Sequence, residues 1–551
     1  MRSLLAAGFL AAALFTTAAA QVTPTYIEPG YHLSYQLTWD NDSLNLSGIR
    51  GVDDIYAGLD VNKNGKKEIL FVDDPSNCAI SVDPALFTIY LYENDGNDSY
   101  KQIWRATIPT PCNSFPALGW SDFDNDGNME IIAALPAQVD ASAPVLPRLY
   151  FFEYDSAAHT FPSTPTLTWN MGLAPTIDFR PSALTSGDFD GDGLNEIAFI
   201  NRAPGTRKLT VIQLIGDDLG GFSSVNVEFV DSSASLQGGG NYDLKVVDFD
   251  GDGKKEIWAI TWNLLQLSVY EAQGPDTYTY KKGLINLTPG ADNGSLNALH
   301  FGDFDNDGHM EAFMAGTEDQ IFFLKEDVAD VGDLTPALFH TIGGGNGDQF
   351  RGAGVGDPDR DGKVDFFFTD NASRVYHMEY KGSGAMTDPA SYDNSLFIED
   401  TFAPTRYYYL SVPPEDMDGD NKREVVVGSL EQSNVDAMFV VIESDASSGI
   451  SRDALTVPNG YSLEQNYPNP FNPSTAISFI IPATQTVTLI VYDLQGQEVR
   501  RILDNKGLGA ARYTVNWDGK DAHGLGVPSG AYFYTLKARD FSQTRKMMLV
   551  R

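Results

Sequence analysis

The chain has 551 residues, 42% of them hydrophobic, which is enough apolar material for globular packing but too much length for one ordinary core. A formal net charge of −38 repels phosphate backbones and anionic lipid and attracts divalent cations, so nucleic acid is excluded as a partner. Two cysteines, Cys78 and Cys112, exclude a scaffold built on disulfides.

In chain order, residues 1–20, "MRSLLAAGFLAAALFTTAAA", combine Arg2, an apolar run and a small-residue cleavage site, the pattern of a secretory signal peptide. The run is too short to span a bilayer and no later stretch reaches about 20 apolar residues, so a secreted, soluble chain without a transmembrane segment is expected. Next comes "YHLSYQLTW" at 31–39, which reads as a strand with no unit of its own.

From Asp60 onward a nine-residue pattern, D-x-[DN]-x-[DN]-G-x-x-[DE], recurs seven times at spacings of 54 to 66 residues. Recurrence at the period of one supersecondary unit marks a repeat architecture. Positions 1, 3, 5 and 9 are Asp60, Asn62, Asn64 and Glu68; Asp122, Asp124, Asp126 and Glu130; Asp188, Asp190, Asp192 and Glu196; and Asp248, Asp250, Asp252 and Glu256. The remaining copies supply Asp303, Asp305, Asp307 and Glu311; Asp357, Asp359, Asp361 and Asp365; and Asp416, Asp418, Asp420 and Glu424.

At this spacing the four side chains can meet at one point while position 7 offers a carbonyl. So many oxygens suit calcium better than zinc or iron, and magnesium would want fewer protein oxygens and stricter geometry. Four like charges in one small loop are unfavourable without a cation. The pattern therefore predicts up to seven structural calcium ions, the weakest in the first copy, where Asn62, Asn64, Lys66 and Lys67 dilute the charge. Glycine at position 6 allows a left-handed turn; the seventh copy has Asn421 there, the next most tolerant residue. In the sixth copy Pro358 enters the loop and Asp365 ends it. β-forming residues follow each loop, so it should join two strands.

Each unit carries about four strands, as in "GVDDIYAGL", "EILFV", "FTIYLYE" and "YKQIWRATI" of the first. Seven such units predict an all-β fold, a seven-bladed β-propeller over residues 21–443. The seventh unit stops after its third strand, so residues 31–39 should complete that blade. Loops joining strands 1 and 2 then share a face with the 3–4 turns. Cys78 and Cys112 fall on the other face, where an oxidising compartment allows them one bridge. That face also has the longest insertions, "DDPSNCAISVDPAL" and "PAQVDASAPVLP", which read equally as the place for a protein or glycan ligand and as variable surface loops without a partner.

The seven loops resemble the FG-GAP or VCBS repeats of integrin α-type propellers. The resemblance implies structural calcium in the loops and partners bound mainly on the opposite face. The FG signature is only loosely kept, as in Phe301-Gly302.

Residues 444–460 read as a polar linker. From Tyr461 the balance turns basic, ten Lys or Arg against seven Asp or Glu, and alternating β-runs between Pro and Gly turns predict a small immunoglobulin-like β-sandwich over 461–551. "NYPNPFNPST", "VYDLQGQEV", "WDGKDAHG", "SGAYFYTL" and the terminal "KMMLVR" resemble the C-terminal sorting domains of the type IX secretion system. This implies export to the outer-membrane surface or beyond, with the secretion machinery as partner. A related flagellar-hook-cap immunoglobulin-like family shares parts of the pattern and leaves a plain structural sandwich as the alternative.

No nucleophile elbow, H-E-x-x-H or phosphate-binding glycine loop occurs, and no catalytic residue is assigned. His309 lies inside a loop and His300 reads as a packed strand residue. The functional expectation is a secreted or cell-surface calcium-binding propeller for adhesion or assembly; the alternative is a secreted carbohydrate-active enzyme, lyase or hydrolase, on a calcium-dependent propeller.

Overall fold

The computed structural model of the chain describes residues 24, 26–38, 51–74, 86–111, 116–135, 147–170, 183–200, 208–215, 224–231, 241–261, 266–284, 296–316, 320–324, 330–334, 337–341, 352–370, 374–399, 406–430, 437–445, 450–453, 461–466, 468–472, 474–481, 485–508, 511–517, 519–521, 526–539 and 541–550. The signal-peptide stretch, both cysteines and residues 75–85 and 136–146 of the two long insertions lie outside these residues. Among the described residues no helix is long and apolar enough to cross a membrane.

Among the described residues, seven small antiparallel sheets follow one another along the chain ahead of the tail. Their first strands are Gly51–Leu59, Ala117–Ser121, Leu184–Gly187, Asn241–Val247, Leu296–Gly302, Ala353–Gly356 and Arg406–Ser411. Each touches the first strand of the next sheet, and the seventh touches the first, so these strands line a closed ring. The second strands are almost wholly buried, as in Glu130–Ala134, Glu256–Thr261 and Glu311–Gly316.

The apolar residues do not form one core but seven, each between neighbouring sheets. Leu70, Phe87 and Trp104 of the first sheet meet Leu118, Ile131 and Phe152 of the second; the series runs round to Leu37, Phe439 and Val441 of the seventh against Val52, Phe71 and Tyr92 of the first. A sheet with two apolar faces satisfies both only between two neighbours, which is why the ring must close. The closing strand is Tyr31–Thr38, paired antiparallel with Ala437–Ser444, where the sequence pattern places it. Tyr26–Ile27 adds a fifth strand to the sixth sheet, pairing with Tyr392–Glu399, which the sequence pattern does not reveal. The amino-terminal segment thus spans two sheets at the seam.

Two further four-stranded sheets form the tail, a small immunoglobulin-like sandwich around Trp517, Tyr534, Phe479 and Tyr513. Thr475–Ile481 alternates buried and half-buried side chains along its length, as a strand with one face on the core must. Asn466 is anchored by Thr475 Oγ1 at 2.9 Å and the Pro468 carbonyl at 3.1 Å, which fixes the start of the "NYPNPFNPST" segment. Ile450–Asp453, inside the stretch that reads as linker, pairs with Ala511–Trp517. An unpaired strand edge has N–H and C=O groups to satisfy, and the adjacent chain supplies them.

Candidate metal centres

All seven acidic loops join the first and second strands of their sheets. One hydrogen-bond scaffold recurs in each. The position-6 N–H donates to the position-1 carboxylate at 2.5–3.3 Å. The position-5 N–H donates to position 3 at 3.0–3.3 Å. The position-7 N–H donates to position 5 at 2.6–2.9 Å. In six loops the position-2 N–H donates to Oε2 of the position-9 glutamate at 2.6–3.0 Å. Backbone donors therefore brace the side chains of every loop, and in six loops they hold one oxygen of the position-9 glutamate.

Two left-handed residues make this wrap possible. Position 6 has φ between +77° and +98° in every copy, Asn421 included. Position 4 is left-handed as well, occupied by Lys63, Asn125, Gly191, Gly251, Asn306, Arg360 and Gly419. Since only two glycine copies at position 4 stand together and lysine, asparagine and arginine alternate with them, the pattern of that site is not visible in residue types. The position-2 side chain plugs the loop onto the core between its own sheet and the next, as Phe123, Phe189, Phe249 and Phe304 do.

In the loop at Asp248 one oxygen from each of Asp248, Asp250, Asp252 and Glu256 lies within 4.8 Å of the others; Asp122, Asp124 and Glu130 do the same. The fit to a cation is tested by oxygens that have nothing else to bind. Oε1 of Glu68, Glu130, Glu256, Glu311 and Glu424 is buried without a hydrogen-bond donor, as is Oδ1 of Asp122, Asp248 and Asp357. Leaving a buried acceptor unsatisfied costs about 1–3 kcal/mol, more for a charged group. Burial pushes these glutamate carboxyls up, to about 8 for Glu68, Glu196, Glu256 and Glu311 and about 9 for Glu130 and Glu424, with the neighbouring aspartates adding to the rise. Hard-oxygen donor sets of this kind suit calcium.

The sixth loop departs from the scaffold for a specific reason. Pro358 has no N–H to brace position 9, and Asp365 there is shorter than glutamate. His377 substitutes for the missing amide: its Nε2 lies 2.8 Å from Asp365 and its Nδ1 3.0 Å from Glu28, with the ring stacked on Phe367. Although burial alone would lower it, hydrogen bonds to the two carboxylates push the His377 pKa up to about 10. Two substitutions that look independent in the sequence are one compensated exchange.

Neighbouring loops are tied to one another. Asn125 Nδ2 donates to the Gly193 carbonyl at 3.3 Å and Asn306 Nδ2 to that of Gly362 at 3.1 Å, each from position 4 of one loop to position 6 of the next. In return Lys255 reaches the Asp188 carbonyl at 2.6 Å and Arg423 that of Asp357 at 2.7 Å. Lys67 and Glu415, 2.6 Å apart, continue the belt across the seam. The second oxygen of position 3 also accepts an N–H from the following sheet: Asp276 to Asp190 at 2.6 Å, Val331 to Asp250 at 3.0 Å and Asp98 to Asp418 at 2.7 Å. Ordering a loop therefore orders the interface beside it.

A set of residues that the acidic pattern does not capture stands on the third strands. Glu93, Glu153, Glu271, Glu379 and Glu443 pair directly opposite the position-9 acid of their sheets; in the third sheet Gln213 holds this place. The available signal is an acid ending an apolar run, as in "IYLYE", "LYFFE" and "FVVIE".

Elsewhere the ring encloses a cavity of about 260 Å³ lined by Asp54, Tyr56, Asp243, Lys245, His300 and Ser411 among others. These side chains staple adjacent first strands. Asp54 accepts the Leu118 N–H at 2.9 Å, Asp243 that of Leu299 at 3.0 Å, and Ser411 that of Ala57 at 3.1 Å. Burial lowers the His300 pKa to about 4.

With this geometry in view, the sequence profile described as FG-GAP-like repeat matches residues 60–133 and 248–314, and that described as FlgD Ig-like domain matches residues 472–541. Each FG-GAP match starts at position 1 of one loop and runs through the strand after the next. No match was found among curated protein sequences. Similar solved structures include the periplasmic gluconolactonase PpgL of Pseudomonas aeruginosa, at 13% identity and a TM-score of 0.39, covering 60% of this chain and 84% of that one. The β-propeller domain of Cps50 (Swd1) from Myceliophteria thermophila, at 9% and 0.39, covers 72% and 97%. PorZ, described as an essential bacterial surface component of the type-IX secretion system of Porphyromonas gingivalis, is similar at 11% and 0.26, covering 91% and 81%. At these values the likenesses bear on no activity, and the fold rests on sheet order and the ring of contacts.

Proposed function

We propose that the chain is an extracellular or surface-held propeller that is stiffened by calcium in its acidic loops and binds a protein or glycan in adhesion or assembly. The observation that carries this reading is the set of buried glutamate oxygens left without donors beside the aspartate and asparagine side chains of the same loops. A rigid ring with its cations on one face leaves the other face for recognition, the usual division between scaffold and binding surface. The function is tested by a glycan array and a surface-protein overlay on the calcium-loaded chain, with product analysis of every hit. Retained ligand without cleavage is expected; released fragments would replace adhesion with carbohydrate-active catalysis.

The tail serves export in this reading, as a sorting domain for type IX secretion. Deleting residues 461–551 is expected to hold the propeller in the periplasm, read by fractionation and surface proteolysis. Normal surface display of the truncated chain would leave the tail a structural sandwich only.

A further inference from the structure

Carboxylates from three separate elements meet at the seam of the ring, where one oxygen from each of Asp98, Asp418 and Glu443 lies within 4.8 Å of the others. Asp98 belongs to the hairpin between Leu86–Gly96 and Ser99–Pro111 of the first sheet, Asp418 to the acidic loop of the seventh, and Glu443 to the third strand of the seventh, beside the closing strand. Asp98 is left-handed at φ +53°, and its N–H donates to Asp418 at 2.7 Å, which sets the hairpin against the loop. Glu443 is fully buried; its Oε1 faces Lys422 and, at 3.4 Å, His32, while its Oε2 has no hydrogen-bond partner. Asp98 shows the same division, for Oδ2 accepts the Asn97 amide at 2.6 Å and Oδ1 is buried without a donor.

The boundary between the fourth and fifth sheets shows what this group lacks. There the Val331 N–H donates to the position-3 carboxylate of Asp250 at 3.0 Å, and Glu271 and Asp330 stand where the seam has Glu443 and Asp98. Glu271 Oε1 faces Lys254 at 3.1 Å, as Glu443 Oε1 faces Lys422. Its Oε2, however, lies 2.9 Å from Lys281, whose ammonium also reaches Asp330 at 2.7 Å and so bridges the two acids. Lys281 is the extra residue of a bulge between the partners of Tyr270 and Val269; Ser34 is the extra residue at the same register, between the partners of Ile442 and Val441. Two adjoining boundaries of one ring thus use the same acids, and the seam has a serine in place of the bridging lysine. Among the described residues, the four acids Asp98, Asp418, Asp420 and Glu443 have one ammonium partner, Lys422, and His32 is matched by Asp445 at 2.8 Å.

We propose that a calcium ion takes this place at the seam, held by Asp98, Asp418 and Glu443, and clasps the first sheet to the seventh as Lys281 clasps the fourth to the fifth. Hard carboxylate oxygens suit calcium, which accepts irregular geometry and completes its shell with water. A cation also answers the buried oxygens that would otherwise stay unsatisfied. The ion adds to those of the loops, shares Asp418 alone with them, and makes closure of the ring depend on calcium as well as on strand pairing.

The test is the number of calcium ions bound per full chain at saturation, by equilibrium dialysis with metal analysis. D98N, which puts a residue tolerant of the left-handed turn at that position, should remove one ion. D95N, an equal charge change in the same hairpin at a carboxylate bonded to Ser99, should remove none. D416N takes position 1 from the seventh loop and should remove a different ion, so the double variant loses two. S34K should supply the missing ammonium, lose the same ion as D98N, and melt higher than the unaltered chain in chelator. A full complement of ions in D98N or S34K, an equal loss in D95N, or no loss in the double variant beyond that of D416N would overturn the clasp and leave the calcium of the loops standing. A loss in D98N with none in D416N would support the clasp and cost the seventh loop its ion. No calcium bound by the unaltered chain would overturn both.

Discussion

Chelation is expected to lower the melting temperature by on the order of 10 °C or more, with calcium restoring it and magnesium recovering little. A cation bound only by the folded state stabilises it by about 2.7 kcal/mol per site at a hundredfold excess over Kd, and several sites act on one cooperative ring. The loss should not stay within the loops, because position 3 and the position-2 plug tie each loop to the next sheet. Magnesium keeps its water and demands octahedral geometry, which a cradle this rich in protein oxygens does not offer.

The effect should also depend on pH in a defined direction. Without a cation, burial raises the position-9 glutamates from 4.5 to about 8 or 9, so the folded state keeps protons that the unfolded chain has released. That contribution is full below pH 4.5 and is lost as pH rises through 8 to 9. The chelated protein should therefore melt higher at pH 5 than at pH 8, and the gain on adding calcium should be larger at pH 8. Differential scanning calorimetry at the two pH values measures both. A melting temperature indifferent to chelator at pH 8 would remove the cations from the loops.

Removing the closing strand should be the most damaging single change to the fold. A chain beginning after Thr38 lacks the partner of Ala437–Ser444 and leaves Val52, Phe71 and Tyr92 without Leu37 beside them. Its sixth and seventh sheets would also carry exposed strand edges, at Tyr392–Glu399 and Ala437–Ser444, which invite pairing between chains. The expected outcome is aggregation and loss of a single cooperative transition. Leu37→Asp, which places a charge at a position 2% exposed, should cost several kcal/mol, on the order of 3–5, and approach the same state. Native-like melting of the truncated chain, by calorimetry and size-exclusion chromatography, would show that the ring does not depend on that strand.

Much of this architecture is legible in the residues because the loop pattern and the strand pattern repeat together. The period set the unit, the β-runs set the strands, and the absent fourth strand of the last unit matched the spare one at Tyr31. Local chemistry that repeats in role but not in residue type stayed hidden. Position 4 turns left-handed whether it is Lys63, Asn125 or Gly191, because the loop's hydrogen bonds impose the turn. The third-strand glutamates stand well away from the loops along the chain and meet them only through sheet register. Pro358, His377 and Glu28 make sense only once three distant segments touch. The strand at Ile450–Asp453 lies in a polar stretch whose composition gives no sign that it will pair.

The pairing that closes the ring also decides where a pull on it falls. Tyr31 lies opposite Ser444, and Glu443 lies opposite Glu424 at the edge of the seventh loop. Tyr31 and Ser444 therefore sit side by side on the rim where the acidic turns lie. A pull on the chain beyond Ser444 would load its pairings with Tyr31–Thr38 and Glu424–Leu430 first, so the seam that shuts the circle is also where mechanical strain would arrive.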